Sequence, residues 1–256
     1  MKPLIATVGL FVGLFPVRLS AQDALILGEI HDNPAHHVVQ ADRVAEFDPK
    51  ALVFEMLTAE QAARVTPDLL QDAAALEAAL GWSESGWPDF SMYYPIFVAS
   101  DAQIFGAAVP REAARQSMSS GLAAAFGEDA DRFGLTRPLP PAEQAAREKL
   151  QAAAHCDALP QDMLAPMVDI QRLRDATLAR EVIRALAETG GPVAVITGNG
   201  HARKDWGVPA ILAQVAPDLD VQVLGQTEDG APLEGGFDEV HSSPAHPRPD
   251  PCLAFQ

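Results

Sequence analysis

Two short turns carry the residue types that do chemistry: Gly28-Glu29-Ile30-His31 and Gly198-Asn199-Gly200-His201. Each follows an apolar run and sets an imidazole at its fourth position. Imidazole trades protons near neutral pH and ligates metals through either nitrogen. A third apolar run, 51–54, ends at Glu55, a carboxylate close enough to a core to need a partner. One such histidine alone reads as an ordinary hydrogen-bonded core residue. Two, each in a Gly-x-x-His turn after an apolar run, read as site residues. Glu29, His31, Glu55 and His201 supply the nitrogen and oxygen donors for a divalent ion such as zinc or manganese with one open position. Without metal, the same set offers a base and its orienter for hydrolysis.

The elements that must position these residues alternate. Apolar runs at 24–27, 51–54, 103–109, 192–197 and 221–224 read as strands. Asn33-Pro34 is a cap followed by proline at the first helical position, and starts a helix to Phe47. Thr58 with Gln61 is a capping box, and Thr66-Pro67 opens a helix reaching Leu80. Helices are expected at 111–126, 142–154 and 161–188, with a short one ending at Ala216. This pattern is an α/β fold: a mostly parallel central sheet flanked by helices, with a helical layer or lid from about 111 to 189. In such sheets ligands bind beyond the carboxyl ends of the strands. Three of these strands end in the residues named above.

Other candidates have two readings. At least one of His36 and His37 is expected on a helix surface, and His36 is not at helical metal-ligand spacing from His31. Arg174 and Asp175 are either an exposed pair or place Asp175 to orient a site histidine. The segment 82–97 gathers Trp82, Trp87, Phe90 and both tyrosines, Tyr93 and Tyr94. Gly198-x-Gly200 lacks the third glycine of a dinucleotide fingerprint, and the chain has no phosphate loop or Gly-x-Ser-x-Gly elbow.

A net charge of −17 excludes nucleic-acid binding as a main function. Met1-Lys2, an uncharged apolar run to Val17 and the small residues Ser20-Ala21 have the layout of a secretory leader cleaved after Ala21. That run is too short to span a bilayer, so the mature chain is expected to be soluble and periplasmic or secreted, with no transmembrane span. The two cysteines, Cys156 and Cys252, are then expected to pair. The chain divides into a leader at 1–21, an α/β domain at 22–226 and a loop-rich tail at 227–256.

Residues 28–37, Gly-Glu-Ile-His-Asp-Asn-Pro-Ala-His-His, resemble the opening motif of the ChaN-type haem-binding uptake proteins. Residues 198–209 resemble their second motif, 171–179 their long-helix motif, and Trp87 with Tyr93-Tyr-Pro-Ile96 their aromatic segment. The resemblance covers about 24–226. It implies haem as cofactor, a part in a haem-uptake system, a homodimer formed on haem binding, and iron held by a tyrosine oxygen. Tyr93 best matches the ligand position, with Tyr94 in reserve. His31 and His201 line the cofactor cleft, and Arg203, Lys204 or Arg111 meet the propionates. The wider group, with TIKI-type metalloproteases and erythromycin-esterase-like hydrolases, implies the alternative of a hydrolase using Glu29, His31, Glu55 and His201. The enzyme question stays open between these two readings.

Overall fold

The computed structural model describes residues 22–250 and 252–253. The leader assigned to residues 1–21 lies outside them.

Six strands form one sheet in the order β3-β2-β4-β1-β5-β6, every neighbouring pair parallel. They are β1 (Ala24–Glu29), β2 (Ala51–Phe54), β3 (Gln103–Gly106), β4 (Val193–Gly198), β5 (Val221–Glu228) and β6 (Glu239–Ser243). All residues of β2 and β4 are buried, as strands covered on both faces must be. The helices are α1 (Pro34–Phe47), α2 (Ala59–Ala62), α3 (Ala73–Leu80), α4 (Phe90–Phe97), α5 (Arg111–Ser120), α6 (Leu122–Phe126), α7 (Pro141–Ala154), α8 (Gln161–Thr189), α9 (Asn199–Ala202) and α10 (Val208–Val215).

Alternate strand residues feed two cores. Leu27, Leu52, Phe54 and Ile196 pack with Val44 of α1 and with Tyr93, Ile96 and Phe97 of α4. Ile26, Val53, Val195 and Val223 pack with Leu122 of α6, with Leu178, Ala179 and Val182 of α8 and with Leu212 of α10. α7 packs on the outside of α8.

Register makes the site. Glu29 pairs with Gly198, and Phe54 pairs with Ile196. The amide of Glu55 donates to the Ile196 carbonyl at 3.0 Å, so Glu29, Glu55 and Thr197-Gly198 end level at the carboxyl edge.

Local chemistry moves several boundaries. The helix expected from Thr66 is a 3-10 turn at Leu69–Gln71 followed by α3. Asp72 starts α3, its carboxylate accepting from the amides of Ala74 and Ala75, and a short side chain that caps so well resets the helix start. The stretch 111–126 breaks at Gly121, whose φ of 83° belongs to no right-handed helix. β3 stops at Gly106, because Ala107 and Ala108 turn to donate to the carbonyls of Phe54 and Leu57.

Within the tail, the described residues 227–250 are more ordered than their composition suggests. β5 runs on to Glu228, and β6 adds an edge strand in which four of five residues are exposed. An edge strand with so little apolar surface leaves no periodic signal. Cys156 and Cys252 form a disulfide with a Cα–Cα distance of 5.5 Å, tying the end of α7 to the tail. Among the described residues, no helix is long and apolar enough to cross a membrane.

Candidate functional site

At the end of β1, Glu29 is buried and gathers three partners. His31 Nδ1 lies 2.6 Å from Oε1, Tyr93 donates its hydroxyl to the same oxygen at 2.8 Å, and His37 Nδ1 lies 3.4 Å from Oε2. The other nitrogen of His37 is 2.8 Å from the His31 carbonyl, so it pins the turn. His36 Nδ1 accepts from the Ile30 amide at 2.9 Å. His36 and His37 are thus both buried, which corrects the expected surface placement. The Asn33 cap aims the first turn of α1 back at the motif, and the adjacent histidines hold its backbone and its carboxylate.

Gly28 is required here. A Cβ on it would meet Asn199 Oδ1 at 2.5 Å and Ala202 Cβ at 3.1 Å, so α9 closes on β1 only over a glycine.

At the end of β4, Glu55 Oε2 accepts from Thr197 Oγ1 at 2.7 Å and from the Gly198 amide at 2.8 Å. His201 Nε2 stands 3.5 Å from Glu55 Oε1, and its Nδ1 is 2.6 Å from Asp175 Oδ1 of α8. Asp175 is buried and orients a histidine, the second of its two sequence readings.

The charges follow from these contacts. Burial opposes ionisation of Glu29, but the hydrogen bonds with His31 and His37 outweigh it and lower its pKa to about 2. Burial likewise opposes a charge on His31, yet Glu29 and Glu55 raise it to about 9. The same contest raises His201, through Glu55 and Asp175. Burial first, then the charge of Glu29, pushes the Tyr93 phenol far above its ordinary value.

Two clefts flank this cluster. One, of about 310 Å³, is lined by His31, Gly198, His201, Arg203 and Trp206, with α7 and Val168 of α8 closing it. The other, of about 370 Å³, is lined by Glu55, Trp87, Arg111 and Arg174. The ring of Trp87 lies 4.9 Å from that of His31, between the two.

The sequence candidates divide accordingly. Glu29, His31, Glu55 and His201 meet at one edge, but as two internally paired sets. Among the described residues, no group of three or more His, Cys, Asp or Glu is arranged to hold a metal ion. The zinc or manganese alternative finds no support among the described residues: Glu29 Oε1 and Glu55 Oε2 are each taken up by neighbouring donors. Tyr93 is fully buried. Tyr94 donates to the Leu70 carbonyl at 2.9 Å. Arg203 is bidentate to Asp205 at 2.6 Å and stacks on Trp206 with its guanidinium 3.5 Å from the ring centre. Lys204 is paired with Asp238 at 2.6 Å. Sequence reasoning missed His37 and Thr197. Only the doubled histidine one helical turn past the Asn33 cap could have pointed to the first.

A parallel sheet with a paired Gly-x-x-His edge defines the class of fold. No curated protein matches the chain. Residues 16–212 match the family described as haem-binding uptake, Tiki superfamily, ChaN, and the chain belongs to that family. Among solved structures it is similar to the ChaN of Campylobacter jejuni described with cofacial haem binding: TM-score 0.57, 19% identity, covering 85% of this chain and 84% of that one. The type III effector HopBA1 is a more distant likeness, with a TM-score of 0.45 and 13% identity over 88% of each chain.

Proposed function

We propose that this protein binds haem at the carboxyl edge of its sheet, beside His31, and serves haem or iron uptake as a periplasmic protein. Family membership supports the ligand. The leader layout of residues 1–21 and the Cys156–Cys252 disulfide support an oxidising compartment.

One observation carries the site. His31 Nδ1 is held by Glu29, which leaves Nε2 as the free donor, and the side chain is 34% exposed. A Cβ on Gly198 would lie 2.8 Å from that nitrogen, so glycine keeps the space in front of it clear. A carboxylate behind a ligating imidazole fixes its tautomer and raises its basicity. Leu150, Val168 and Trp206 give the neighbouring cleft the apolar wall a porphyrin needs. The bound haem would supply an iron that takes this nitrogen. The geometry lends no support to tyrosine ligation, because the Tyr93 hydroxyl is buried and donated to Glu29.

Absorbance titration of the mature chain with haemin tests this. The parent is expected to give a saturable Soret band. His31→Ala and Gly198→Ala should both weaken binding, by roughly tenfold or more, with the fold kept. Unchanged binding in both variants overturns His31 as the donor. The resemblance to ChaN-type proteins implies a homodimer formed on haem binding, so the haem-loaded chain is expected to elute as a homodimer.

The orientation of His201 by Asp175 next to Glu55 favours a second reading, metal-free acid-base hydrolysis. Ester turnover lost in His201→Ala is its test.

A further inference from the structure

The cations of this acidic chain are mostly spent. Arg147 is paired with Glu143, Arg203 with Asp205 and Arg248 with Glu228. Arg111 and Arg174 make no hydrogen bond or ion pair among the described residues, and both line the cleft of about 370 Å³ beside Glu55. Arg174 is half-buried, and its charge reaches His201.

The same cleft receives the start of α5. Pro110 stands at its N-cap with no side-chain cap, so the first amides of this ten-residue helix are open. Gly86 faces Arg111: a Cβ there would meet its Nη2 at 2.8 Å, so the loop makes room for the guanidinium. Two carboxylates on the same wall oppose an anion here, Glu84 and Glu55. Glu55 is already taken up by Thr197, the Gly198 amide and His201, so the two unspent guanidiniums and the open helix start face only the exposed Glu84, and a planar fork of donors matches a carboxylate.

We propose that Arg111 and Arg174 receive the two propionate carboxylates of the porphyrin, and so set which edge of it enters the cleft. This rests on the haem reading above. Trp87 stands in this cleft with its ring 4.9 Å from that of His31, so the arginine-lined cleft adjoins the haem site proposed at His31. Arg203 and Lys204, the other candidates, are already committed to carboxylates.

The test compares haemin with its dimethyl ester, which has no carboxylates, on the parent and on the Arg111→Gln/Arg174→Gln double variant. The double variant is expected to bind haemin roughly tenfold more weakly, while both proteins bind the ester alike. Arg111→Lys/Arg174→Lys should recover part of the loss, and Glu84→Gln should tighten haemin a few-fold. Circular dichroism of each variant checks the fold. If the double variant binds haemin as tightly as the parent, or loses the ester equally, this inference is overturned and the haem reading stands. If the parent binds neither compound, the haem reading falls and this inference falls with it.

Discussion

The two Gly-x-x-His turns share a spacing and part company in what holds them. His31 takes its carboxylate from Glu29, two residues back on its own strand, and keeps a third of its side chain in solvent. His201 takes its carboxylate from Asp175 on α8, twenty-six residues away, and is 10% exposed. A local partner fixes one ring nitrogen and leaves the other outward. A distant partner buries the ring and couples the sheet edge to a helix. One spacing thus yields a partly exposed imidazole and a nearly buried one that ties the sheet edge to α8.

The largest expected effect separates these roles. Asp175→Ala leaves the buried His201 without its Nδ1 partner, and breaking a buried pair costs about 3–5 kcal/mol. Urea denaturation should show that loss, whereas His31→Ala, at a partly exposed ring, should cost about 1 kcal/mol. Equal costs would mean that the two turns are both struts.

Much of this division was legible in the sequence, and the reasons are local. The continuous apolar runs of β1, β2 and β4 announce strands buried on both faces, and the position of glycine, histidine and glutamate at their ends announces the edge. What the sequence hid depends on register and tertiary approach. The sequence left Asp175 either an exposed pairing with Arg174 or a site histidine, and only the packing of α8 at the sheet edge selects His201. His36 and His37 look like polar helix residues until the Asn33 cap turns α1 against Glu29. β6 buries one residue of five, so its pairing with β5 has no apolar signature.

A second way to sharpen the comparison is pH. His31 has its pKa raised from 6.5 to about 9, so its stabilising contribution is complete below 6.5 and lost as pH rises through 9. Glu29 is lowered from 4.5 to about 2, so its contribution is complete above 4.5 and lost as pH falls through 2. The pair should give a stability plateau between those two unfolded values, falling away on both sides. In His31→Gln the alkaline decline should shrink, read from urea midpoints between pH 6 and 10. Ligation through Nε2 also requires that this nitrogen be free of its proton. Haemin affinity of the parent should therefore climb by up to about tenfold per pH unit below pH 9 and then level. A flat profile would move the ligand off His31.

The smallest expected effect decides what Tyr93 is for. Its hydroxyl donates to Glu29 Oε1, and Glu29 keeps His31 and His37 when that bond is removed. Tyr93→Phe retains the ring, which packs 4.2 Å from His37 and 4.8 Å from Trp82. The cost should be about 1–2 kcal/mol, the worth of one hydrogen bond to a charged acceptor whose other partners remain. Haemin binding should keep its Soret maximum and change less than threefold. Tyrosinate ligation asks for much more: the phenol must leave a buried carboxylate, lose its proton beside that negative charge and reach iron from a fully buried position. Loss of the Soret band in Tyr93→Phe with an intact fold would show that the protein makes that rearrangement, and His31 would then be a gatepost rather than the ligand.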